Sequence, residues 1–75
     1  MGRTPEAIAE AFSVHLEGGT GRANLLCLDQ DEAAAVALRL KRMGWKAKAE
    51  QGLQGMDEIK VVHYVRVTGR GKGRG

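Results

Sequence analysis

The sequence has one cysteine, one proline, three aromatic residues and no extended apolar run. Each scarcity closes off a class of protein. A single cysteine, Cys27, cannot close an internal disulfide, so the fold must hold without a covalent staple, and the chain reads as cytoplasmic. No stretch approaches the ~20 consecutive apolar residues of a bilayer-spanning helix. Arg3 stands near the start, but Glu6 and Glu10 break up the residues after it, and no signal-peptide core is expected. Phe12, Trp45 and Tyr64 are the only rings apart from two histidines.

At 75 residues the chain makes one domain. A chain of this size buries only about 60% of its unfolded surface, which leaves little room for an enclosed substrate cavity. A surface-acting protein is therefore expected, and a homodimer that enlarges the core is compatible with the size. The formal net charge is +3. Arg70, Lys72 and Arg74 supply it within residues 69–75, and the remaining nine basic residues equal the nine acidic ones. The expected division is thus a neutral domain over residues 1–68 and a basic, glycine-rich, disordered tail over residues 69–75.

Thr4-Pro5-Glu6 has the chemistry of a helix start, with a capping hydroxyl, a proline at the first helical position and an acid at the positive end of the dipole. From Phe12 the pattern turns ambiguous. Phe12, Val14 and Leu16 alternate with polar residues as in a strand, while Ile8, Phe12 and Leu16 also lie at helical spacing. Ser13, Val14 and His15 are mediocre helix formers, so a strand over residues 12–17 is expected, paired as a hairpin with residues 23–28 across the Gly18-Gly19-Thr20-Gly21 turn. Asp29 and Glu32 have capping-box spacing, and Ala33, Val36, Ala37, Leu40 and Met43 form one apolar stripe that ends at Gly44. This predicts a long helix. Trp45, Ala47 and Ala49 alternate with Lys46, Lys48 and Glu50; residues 51–56 read as a flexible connection, and residues 59–68 as the longest strand. The expected fold is α+β: a short N-terminal helix, then ββαββ, giving a four-stranded, mainly antiparallel sheet with one long helix on one face. The other face meets solvent or a partner.

Catalytic chemistry finds no foothold in this pattern. The glycines at 18–21 lack the third glycine of a dinucleotide fingerprint, and no phosphate-loop lysine comes after them. His15, Cys27 and His63 show none of the paired spacings of zinc sites, so neither metal nor cofactor is expected. By alternation His63 falls on the face of Val61 and Val65, as a hydrogen-bonded histidine near the core, as one turned outward by a bulge, or as a functional imidazole. No catalytic residue is assigned, and the chain is read as a non-enzyme.

Surface chemistry says more. Lys46, Lys48, Lys60 and Arg66 should project away from the helix with Tyr64 among them, a basic sheet face able to hold phosphates and stack a base. Glu17 and Glu50 dilute its charge. Arg70, Lys72 and Arg74 in the tail add three sequence-independent phosphate ligands. On the helix, Leu38 lies opposite the apolar stripe, and with Arg39 and Arg42 it offers a contact for a protein partner or a second copy.

In size, sheet-plus-helix domain and Ala/Gly/Arg-rich composition, the chain resembles the small proteins of bacteriophages and mobile elements, anti-CRISPR proteins among them. That group shares no motif, so no functional residue carries over. The resemblance implies a viral protein whose partner is a host defence complex and whose binding obstructs that complex's nucleic-acid channel. The favoured expectation is accordingly a small inhibitor or adaptor docking on a protein or nucleoprotein complex. The alternative is a nucleic-acid-binding module, for DNA or RNA, that uses the basic sheet face and tail.

Overall fold

The computed structural model describes residues 4–71. The chain runs α1 (Pro5–Glu17), β1 (Arg22–Cys27), α2 (Gln30–Arg42), β2 (Trp45–Gln54) and β3 (Lys60–Arg70). The strands form one sheet of order β1-β3-β2, with both outer strands antiparallel to the central β3. β1 and β2 are therefore parallel to each other, joined by α2 and separated by the last strand. This is a split β-α-β unit preceded by a helix.

The four-stranded expectation is corrected here, because residues 12–17 belong to α1. Ala9, Phe12 and Leu16 are buried on one side of that helix, and Val14 points to solvent. A strand would have buried Val14 beside Phe12 and Leu16. The four-residue spacing wins over local propensity because α2 offers a surface that a helical stripe can cover. The expected hairpin of residues 12–17 with 23–28 disappears with it. The glycine-rich segment links a helix to a strand, and β1 pairs with β3 instead. The helix layer thus holds two helices of 13 residues each, where one long helix on the sheet and a short N-terminal one were expected.

Local signals at the other ends hold. Thr4 Oγ1 accepts from the Ala7 N–H at 3.1 Å. Asp29 Oδ1 accepts from the Glu32 N–H at 2.8 Å, and Glu32 Oε1 accepts from the Leu28 N–H at 2.8 Å, a reciprocal cap set one residue early. Gly44 comes after α2 with a φ of 99°. The flexible connection expected over residues 51–56 is shorter, since β2 continues to Gln54 opposite Lys60.

One face of the sheet meets both helices. The core joins Ala9, Phe12 and Leu16 of α1 to Ala33, Val36, Ala37 and Leu40 of α2, and to Trp45, Ala47, Val65 and Val67 below them. Four of these are alanines, which let the layers approach closely. Trp45 is the largest member and the most constrained. Its Nε1–H donates to Ser13 Oγ of α1 at 2.9 Å, and the Arg70 guanidinium lies over its ring, 4.4 Å from the centroid.

Arg70 reaches that position through a bulge. Trp45 pairs with Arg70 and Ala47 with Val67, so β3 carries one extra residue there. Gly69, at a φ of 133°, absorbs it. The bulge turns Arg70 to the helix side, where it also meets Glu17 at 3.1 Å. The strand thus runs on through Gly69 and Arg70, which the glycine-basic alternation of the sequence places in the tail.

Trp45→Ala should remove about 3 kcal/mol or more, enough to unfold much of so small a domain, while Ser13→Ala should cost about 1 kcal/mol. Urea titration followed by far-UV circular dichroism measures both. An unchanged midpoint for Trp45→Ala would refute the role given to the indole.

Candidate functional site

Both helices lie on one side, so the described residues leave the opposite side of the sheet uncovered. Alternation along each strand fixes what it presents. Three cross-strand rows result from the register. Leu26, Tyr64 and Glu50 form the first; Asn24, Arg66 and Lys48 the second; Arg22 and Thr68, with Lys46 alongside on β2, the third. Gly52 and Val62 form a further pair beyond Tyr64, and Lys60 with Gln54 closes the hairpin end.

The face has two halves. Towards the end of β3 it is basic and polar, carrying Arg22, Lys46, Lys48 and Arg66 with Asn24 and Thr68 between them. Lys46, Lys48 and Arg66 line a shallow open groove that Lys41 of α2 and Gly71 extend. Towards the hairpin it is apolar, with Tyr64 set among Leu26, Val62 and Gly52. Glu50 joins the halves. Its Oε1 accepts from the Tyr64 hydroxyl at 2.9 Å and lies 3.6 Å from Arg66 Nε. Among the described residues it is the only acidic side chain on this face. Glu17, expected to dilute the same charge, lies on α1 and meets Arg70.

The expected site residues separate into groups. Lys46, Lys48, Tyr64 and Arg66 share the open face, and Lys60 stands exposed at its hairpin end. Arg70 is removed from that set by the Gly69 bulge, which commits it to Trp45 and Glu17 on the other side. Lys72 and Arg74 lie outside the described residues, which end at Gly71, whose N–H donates to the Gly44 carbonyl at 2.7 Å. Leu38 is half exposed on α2 with Arg42 exposed and Arg39 partly buried, so this trio lies in the helix layer, apart from the open face.

Sequence reasoning missed Arg22, Asn24 and Leu26. Their alternation with Ala23, Leu25 and Cys27 is legible, but the unbroken apolar run of residues 25–28 obscures it. Pairing β1 with residues 12–17 also puts it beside the wrong neighbour. With β1 against β3, Arg22 joins the cations and Leu26 flanks Tyr64.

On the covered side, the register sets Cys27 opposite His63 and His63 opposite Gln51. The sequence shows no nucleophile beside His63, and the β1–β3 pairing brings one opposite it. The Cys27 thiol is directed at the Leu25 carbonyl, 3.7 Å away. His15 is elsewhere, stacked on Phe12 with ring centroids 6.0 Å apart. Among the described residues no group of three or more His, Cys, Asp or Glu side chains is placed to hold a metal ion. No described helix is long and apolar enough to cross a membrane.

Comparison with protein-family models, with curated proteins and with solved structures finds no match for the chain.

The two arginines of β3 should behave differently. Arg70→Ala removes a ring stack and a half-exposed ion pair and should lower stability by about 1 kcal/mol. Arg66→Ala should stay within about 0.5 kcal/mol, as expected of a surface change. Equal shifts in urea midpoint would contradict this division of labour.

Proposed function

We propose that the chain is a nucleic-acid-binding module that acts through the open face of its sheet, by contact rather than by catalysis. The observation that carries this reading is charge segregation. Five of the nine basic residues described (Arg22, Lys46, Lys48, Lys60 and Arg66) project from this face, against one of the nine acids. The other acids lie on the helices, at their ends, or in the hairpin turn at Asp57 and Glu58. A domain neutral in sum therefore presents a cationic side. Such a surface gathers phosphates by releasing their counterions, and Asn24, Thr68 and Tyr64 add neutral hydrogen-bonding groups. Gly71, after which Lys72 and Arg74 come in sequence, lines the same groove.

Fluorescence anisotropy with a labelled 12-nucleotide strand across a salt series tests this reading. Affinity should fall as salt rises, and Lys46→Ala with Lys48→Ala should flatten the logarithmic slope by about 1.4, two single-strand phosphate contacts. Arg39→Ala with Arg42→Ala, in the helix layer, should leave the slope alone. Glu50→Gln, which removes the charge and keeps an acceptor for the Tyr64 hydroxyl, should tighten binding. A wild-type chain that ignores oligonucleotides at low salt would sink the reading.

A second reading rests on a separate feature, the tip of the β2–β3 hairpin. Leu53 and Val61 pair across the strands, and Met56 and Ile59 lie in the turn, with exposures of 72%, 57%, 98% and 69% respectively. Soluble monomers seldom leave such a cluster bare, so the tip favours a protein contact, as an inhibitor or adaptor docking on a nucleoprotein complex would need. Host-complex inhibition of the anti-CRISPR kind falls under this reading. Leu53→Ser with Ile59→Ser should then abolish co-purification of a partner and leave oligonucleotide binding and the urea midpoint intact. If co-purification survives, the tip is not the contact.

A further inference from the structure

Resting on the nucleic-acid reading of the open face, we propose that its apolar half is a seat for one unpaired base, stacked on Tyr64, so that the module prefers single strands to duplex. The geometry of Tyr64 is the starting point. Its hydroxyl is tied to Glu50 on the neighbouring strand at 2.9 Å. Its ring edge passes low over Gly52, where an added Cβ would stand 3.5 Å from Cε1. The ring therefore leans across β2, held at its tip and lying over a residue with no side chain. A lone Cβ at 52 would make ordinary contact with the ring, while a branched residue adds γ carbons that would crowd it.

The surface around the ring suits a base. Leu26 pairs with Tyr64 across β1 and is 57% exposed, and Val62 stands two residues before Tyr64 on the same strand face. Together they make a low apolar platform open to solvent. Directly beside it begin the cations, with Arg66 two residues along β3 and Lys48 opposite Arg66. A base on the ring thus places its own phosphodiester towards Arg66 and Lys48. Glu50 links both partners of this arrangement, since one oxygen accepts from the Tyr64 hydroxyl and lies 3.6 Å from Arg66 Nε.

Duplex bases are already stacked on one another and cannot offer a face to the ring unless a base is extruded, which costs both its pairing and its stacking. An unpaired base pays no such cost, and stacking on an aromatic is tolerant of base identity. The face should therefore read strandedness and leave sequence largely unread.

The test compares three probes of equal length at low salt by anisotropy: a single-stranded oligothymidine, the same backbone built from abasic sites, and a duplex. The wild type should hold the oligothymidine roughly fivefold to tenfold more tightly than the abasic strand, the low end of the range for stacking one base. Tyr64→Leu should erase that difference without changing abasic binding, and Tyr64→Phe should keep most of it. Gly52→Val, with its urea midpoint checked, should reduce it through displacement of the ring. If the wild type binds all three probes alike, prefers the duplex, or loses abasic and thymidine binding equally in Tyr64→Leu, the base seat is wrong and the phosphate-binding reading stands. If the wild type binds none of them, the underlying reading has failed instead.

Discussion

The fold hangs on the position of one indole. Trp45 opens β2 directly after the turn from α2, and its ring is engaged by groups from three other segments. Ser13 of α1 accepts its N–H, Arg70 covers its face, and Gly21 lies so near that an added Cβ would stand 3.3 Å from the ring. Arg70 then continues to Glu17 at the end of α1. The helix whose second half satisfies two periodicities in the sequence is thus fastened to the sheet through the largest apolar side chain in the molecule. Elsewhere the core is built largely of alanine and valine, which pack closely but contribute little area each. Without the indole, the buried residues of α1 would be Ala9, Phe12 and Leu16, with Ile8 packed beside them.

That fastening also decides which cations are available for function. Among the described residues both helices cover one face of the sheet, and the other face is open. The Gly69 bulge sends Arg70 to the covered side, where it works for stability. Arg66, three residues before that glycine, stays on the open side. Two arginines of one strand, close in sequence, are thereby given unlike tasks by a single glycine.

The helix over residues 30–42 was legible from its cap, stripe and terminal glycine because all three signals are local. The alternation of β2 and β3 was legible for the same reason, and so was the grouping of Lys46, Lys48, Tyr64 and Arg66. Residues 12–17 were not. Their apolar residues satisfy both periods, and the choice depends on α2 being present to receive Phe12 and Leu16. Strand order was hidden as well. A hairpin between sequence neighbours is the default expectation, whereas here the last strand inserts between the first two. Arg22, Leu26 and the Cys27–His63 pairing could be recognised only once that insertion was known. The bulge was likewise invisible, because Gly69 begins a glycine-basic alternation that reads as tail.

Glu50 shows how far charge alone explains the open face. A surface selected only for attraction to phosphates would gain by losing its one carboxylate. This carboxylate instead faces Arg66 at its guanidinium stem and fixes the one aromatic at its hydroxyl, at the boundary between the basic and apolar halves. It lowers the net charge of the face and in exchange orders the two side chains that a nucleotide would have to meet together. Placement of that kind favours a defined contact over a diffuse one. A diffuse contact would need only the exposed lysines of the face, with no carboxylate set between an arginine and an aromatic.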